Sequence, residues 1–171
     1  MKLIGNICFA AFVIWVASFF FKSEAKELPS NEALISQFDQ MELFEKGVWK
    51  KGNVVDGVQV YTTITADNIL RSTWLLGVKQ AGVISLSDLH DPAFEGIAAL
   101  SVCFKLVRGV LGRDSKEDFK VIEDAFKFAL SSKPIDNTLS DIEILDGYKF
   151  EVQIGQAASN INLYACSIKQ K

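Results

Sequence analysis

Histidine is almost missing from this 171-residue chain, and cysteine is scarce: His90 stands alone, and the cysteines are Cys8, Cys103 and Cys166. A lone histidine has no partner nucleophile at a useful spacing. In Asp88-Leu89-His90-Asp91-Pro92 it could act as a general base beside Asp88 or Asp91, but a residue at the start of a helix is the plainer reading. The cysteines and the histidine never fall at ligand spacings, so a zinc site is excluded. Nor is there a G-x-S-x-G turn, a glycine-rich phosphate loop or a pair of catalytic carboxylates. No catalytic, cofactor-binding or metal-binding residues are therefore assigned. Runs of like charge are also lacking, and the formal net charge is −3. Nothing in that balance forms a footprint for a phosphate backbone, so nucleic acid is excluded as a partner.

Apolar residues, by contrast, make up 49% of the chain, and their longest run is at the start. Lys2 and the α-amino group form a short positive region, after which an apolar run from Leu3 to Phe21 follows, interrupted early only by Gly5 and Asn6. This pattern predicts export. Ser23-Glu24-Ala25 puts small residues at the −3 and −1 positions of a cleavage site before Lys26. The run is also long enough for a bilayer-spanning helix, which needs about 20 residues. Residues 1–25 are thus a signal peptide or a signal anchor, with membrane contact through residues 3–21 if the segment is kept. Cys8 follows Ile7 and precedes most of the apolar run, which excludes a lipoprotein signal. In either case residues 26–171 form one domain outside the cytoplasm, periplasmic or held at the membrane by a single N-terminal helix. That domain has 16 basic and 20 acidic residues.

Within it, Pro29-Ser30 opens a helix expected to reach Phe44, with Leu34, Ile35, Phe38 and Met41 on one face. Glycines and Asn53-Val54-Val55-Asp56-Gly57 bracket a short strand over 47–56. The next strand is VQVYTTIT, in which Val58, Val60, Thr62 and Ile64 alternate with Gln59, Tyr61, Thr63 and Thr65. The stretch 68–86 reads ambiguously, and one strand over Ser72 to Lys79 is expected.

Asp91-Pro92 starts a long helix and Gly112 stops it. Ile97, Leu100, Cys103, Phe104, Leu106, Val107, Val110 and Leu111 fill more than half its circumference, leaving Ser101, Lys105 and Arg108 as a thin polar stripe. It is expected at the centre of the core. A second membrane segment fits less well, given Lys105, Arg108 and the flanking Glu95. Ser115 to Asp118 resembles a capping box opening another helix with Phe119, Ile122, Ala125, Phe126 and Ala129 on one face. Asp114, Glu117, Asp118, Glu123 and Asp124 read as caps and solvated helix positions rather than as a metal or acid–base cluster. Residues 131–140, with Pro134 and Asp136-Asn137, read as a loop. Asp146-Gly147 then joins two alternating runs as a hairpin. Gly155 to Asn160 is read as a turn before a last strand, INLYACSI.

These elements predict an α+β domain: a mostly antiparallel sheet of about four to six strands, with a central helix hairpin and an N-terminal helix on one face. In an exported protein Cys103 and Cys166 suggest a disulfide. Strand parity argues the other way. If helices cover Ile161, Leu163 and Ala165, then Cys166 faces away from Cys103 and the two stay buried or half-buried thiols. The same parity gathers Gln59, Tyr61, Thr63, Lys149, Glu151, Gln153, Asn162 and Tyr164 on the opposite face, as a polar surface for a partner. The resulting expectation is a non-enzymatic exported domain that binds a protein or a small ligand. The alternatives are a hydrolase or transferase without a local motif, and a structural subunit of an envelope assembly.

Overall fold

The computed structural model describes residues 26–132 and 138–171. The leader and the turn signals at Pro134 and Asp136-Asn137 lie outside them. Helix α1 (Asn31–Gln40) is followed by four strands, β1 (Lys50–Val55), β2 (Val58–Ala66), β3 (Arg71–Gly77) and β4 (Gln80–Ser87). A helix hairpin comes next, α2 (Pro92–Leu111) and α3 (Lys116–Ser131), and then β5 (Leu139–Leu145), β6 (Tyr148–Ala158) and β7 (Ile161–Lys169). All seven strands form one antiparallel sheet in the order β1-β2-β3-β4-β7-β6-β5. The class is α+β, but the sheet has seven strands rather than four to six. The strand left uncounted is β4, whose Ala81, Gly82, Ser85 and Ser87 give little β propensity. Its turn from β3 has no Asn-Gly or Asp-Gly signal. Lys79 instead adopts a left-handed backbone, φ 55°.

Local chemistry sets the helix ends. Asp91 accepts a hydrogen bond from the Phe94 amide at 3.2 Å, Pro92 opens α2, and Gly112 closes it in the left-handed conformation. Ser115 accepts from the Asp118 amide, but the Asp118 carboxylate turns to Arg113 at 2.7 and 2.8 Å, so only half of a capping box forms. Helix α1 stops at Gln40, short of the expected Phe44. There Glu42 turns left-handed (φ 52°), its amide donates to the Asp39 carbonyl, and the Leu43 amide donates to that of Phe38. This is a Schellman close without glycine. Asp56-Gly57 and Asp146-Gly147 both have positive φ at each residue, which matches the twist of the β1–β2 and β5–β6 hairpins. The last hairpin is longer than expected. Strand β6 continues through Gly155 to Ala158, with a register shift between Gln156 and Ala158, and turns only at Ser159-Asn160.

All three helices cover one face of the sheet. Helix α2 lies on β4 and β7 and also touches α1 and α3. The strand parity that faces them is the reverse of the expected one on β2 and β7. Tyr61, Thr63, Tyr164, Cys166 and Ile168 point into the core with Trp74, Val83, Phe150 and Val152. Leu163 and Ala165 lie on the other face, although they are the more apolar set. Cys103 and Cys166 consequently meet as a disulfide between α2 and β7. A second part of the core is aromatic. Phe38 packs against Phe44, Trp49 and Trp74, and the Lys105 ammonium lies 4.4 Å over the Phe44 ring. No helix among the described residues is long and apolar enough to cross a membrane.

Candidate ligand site on the open sheet face

The helix-free face is built from three neighbouring cross-strand rows. In the first, Gly77, Gln80, Lys169 and Lys149 lie side by side. The second runs Thr62, Leu75, Gly82, Ser167, Glu151, Ile142, and the third runs Ile64, Thr73, Ile84, Ala165, Gln153, Ser140. Gly82 and Ser167 are the smallest pair at the middle of the sheet. A side chain on Gly82 would begin 3.2 Å from the Cys166 carbonyl oxygen and 3.5 Å from Ser167 Cβ, so the glycine leaves a hollow where another residue would form a ridge. The result is a trough of about 310 Å³ floored by Thr73, Leu75, Gly82, Ile84 and Ala165.

One side of the trough is polar. Lys169 Nζ donates to Glu151 Oε2 at 2.5 Å, and Gln153 Nε2 donates to Glu151 Oε1 at 2.9 Å. The Lys169 ammonium holds the Glu151 carboxyl below its ordinary value against the opposing effect of burial. Both of its oxygens are engaged. The same face leaves Ile64, Ile84, Ile142 and Ile144 about half exposed, a concentration that isolated surface apolar residues do not account for.

The expected polar surface divides between the two faces. Lys149, Glu151 and Gln153 lie on the open face. Gln59, Tyr61, Thr63, Asn162 and Tyr164 lie on the helix side, where core packing and helix contacts claim them. Tyr61 donates to Glu32 of α1 at 3.0 Å. Tyr164 donates to Glu95 of α2 at 3.0 Å, and Asn162 Nδ2 donates to the same oxygen at 2.7 Å. Burial, followed by the Glu95 contact, pushes the Tyr164 hydroxyl far up from its ordinary range. Glu95 is itself fully buried. Burial pushes its carboxyl up, yet the hydrogen bonds from Asn162 and Tyr164, with the nearby Ser87 hydroxyl, outweigh that effect and hold it below its ordinary value. Beside this cluster is a smaller hollow of about 190 Å³ that includes Phe126, Leu130 and Ile154.

The remaining candidates are dispersed. His90 is exposed, with φ 59°, just ahead of the α2 cap. Asp114 pairs with Arg108 at 3.1 Å, Asp118 with Arg113, and Glu123 with Lys127 at 2.8 Å. Among the described residues no three His, Cys, Asp or Glu side chains come together as a metal site.

Sequence reasoning missed Gly82 and Ile84 because it left β4 unrecognised, Ala165 and Lys169 because it inverted β7, and Leu75 because it assigned no inward face to β3. A glycine flanked by alternating residues, Ala81-Gly82-Val83-Ile84, was the available signal. It missed Glu95 because a single glutamate in a helix's first turn reads as an ordinary dipole partner.

Fold and site together define an α+β domain with one sheet face covered by helices and the other open around a central trough. Beyond that class the comparisons add nothing: no protein-family model, no curated protein and no solved structure matches the chain.

Proposed function

We propose that residues 26–171 are an exported, non-enzymatic binding domain whose open sheet face takes a small, partly apolar ligand. The observation that carries this reading is the trough around Gly82, an apolar floor beside a polar wall. Its volume is at the lower end of small-molecule sites, roughly 300–1,000 Å³. The Glu151 carboxylate is bound by Lys169 and Gln153, which suits recognition better than proton transfer. Export is supported by the leader-like composition of residues 1–25 and by the disulfide, a bond that persists in oxidising compartments.

The test is fluorescence titration with N-phenyl-1-naphthylamine, a neutral apolar probe, on the wild type and on Ala165→Phe. The new ring would fill the trough from the open side without touching the core. Saturable binding by the wild type and a loss of at least tenfold in the variant is the expected result. Equal binding by both would refute the assignment.

A further inference from the structure

Lys149 of β6 and Lys169 of β7 are direct cross-strand partners, and both side chains rise from the open face. Like charges directly opposite one another in a sheet repel. One carboxylate lies near, Glu151, and its two oxygens are taken by Lys169 and Gln153. Lys149 has no ion pair among the described residues. The pair therefore carries an excess of positive charge at one end of the trough. Lys169 itself lines the trough, beside Gln80.

From that end the lining turns apolar. Moving along β7 from Lys169 to Ala165 passes Ser167 opposite Gly82 and ends beside Ile84. Four residues of strand cover about 13 Å. No acidic residue other than Glu151 lines this path. A ligand that matches both ends has an anionic head and a narrow, unbranched apolar body. Ammonium groups act as point charges and suit a single compact anion, whereas a bidentate phosphate site would favour arginine.

We infer that the trough binds a fatty-acid-like monocarboxylate, its head between Lys149 and Lys169 and its chain across Gly82 towards Ile84 and Ala165. This inference rests on the trough being the ligand site and adds the chemical class of the ligand.

The experiment is isothermal titration calorimetry at low ionic strength on the protein as isolated from its producing cells. Decanoate, decan-1-ol and decyltrimethylammonium are compared below their aggregation concentrations. Decanoate should bind at least tenfold more tightly than the alcohol, with the cation weakest. In Lys149→Gln, which removes no ion pair among the described residues, the advantage of decanoate over the alcohol should fall severalfold. In Lys149→Glu it should disappear, while alcohol binding stays constant in both. Equal binding of all three ligands, lost together in Ala165→Phe, would keep the trough as a ligand site and overturn its anionic specificity. Failure of all three to bind would overturn both readings. A Lys149 variant that weakens all three equally, with its thermal transition unchanged, would also overturn the headgroup assignment.

Discussion

Cys103, midway along α2, and Cys166, midway along β7, are bonded through the layer between helix and sheet, with their Cα atoms 5.8 Å apart. Both are about 2% exposed, so the bond is sealed in the core and pins the central helix to the strand that backs the trough. It closes a loop with a sequence separation of 63 residues. The chain-entropy account of such a loop gives about 4 kcal/mol of stabilisation through the unfolded state. Cys103→Ala with Cys166→Ala should lower the unfolding free energy by about that amount in urea titration, with little change in native circular dichroism. An unchanged urea midpoint would show that the bond is not formed.

Gly109 makes α2 and α1 close neighbours. A Cβ there would lie 2.3 Å from Phe38 Cε1, and Phe38 is fully enclosed by Phe44, Trp49 and Trp74. The ring has no room to retreat. Gly109→Ala should therefore destabilise the domain by about 1–3 kcal/mol through overpacking, although alanine is the better helix former. A thermal transition at or above that of the wild type would contradict this close packing of Gly109 on Phe38.

The Glu95 cluster predicts an acid dependence whose sign is fixed. Burial raises its folded-state carboxyl, but the hydrogen bonds from Asn162 and Tyr164, with the nearby Ser87 hydroxyl, hold it below the ordinary 4.5. The stabilisation is therefore complete above that ordinary value and is lost as pH falls through the lower folded value. Glu95→Gln should cost about 1–3 kcal/mol near neutral pH, the penalty for weakening bonds to buried donors. The gap between variant and wild type should narrow as urea titrations are repeated at progressively lower pH below 4.5. A gap that stays constant or widens would mean that Glu95 is buried neutral.

Much of the fold was legible because local rules and tertiary packing agreed. Asp91-Pro92, Gly112, Ser115 and Asp146-Gly147 marked element ends by their backbone chemistry, and each end falls where those residues stand. The site was less legible because it depends on which face of a strand is inward. On β7, Ile161, Leu163 and Ala165 form the more apolar set, yet Tyr164, Cys166 and Ile168 face the helices. Two interactions resolve the ambiguity, and neither is local in sequence. The disulfide reaches back 63 residues, and the Tyr164–Glu95 bond reaches back 69. Periodicity showed that β7 alternates; it held no information about those partners. With β7 turned this way Ala165 is left on the open face, where it joins Thr73, Leu75, Gly82 and Ile84 in the floor of the trough.

The contacts of Lys26 bear on the leader. Lys26 Nζ lies 2.6 Å from Asp146 Oδ2 on the β5–β6 turn and 5.0 Å over the Tyr148 ring, while Tyr148 donates to the Glu27 carbonyl. These contacts use only the Lys26 side chain and the Glu27 carbonyl, so cleavage after Ala25 would leave the docking intact. We predict that the mature protein begins at Lys26. Two readouts check this in one sample. N-terminal sequencing should start at Lys-Glu-Leu-Pro, and alkylation under denaturing, non-reducing conditions should add no label, because Cys8 has left with the leader and the other two cysteines are bonded. One alkylated thiol, mapped to Cys8 in protein from the membrane fraction, would show that the segment is retained as an anchor and that the trough works at a membrane surface.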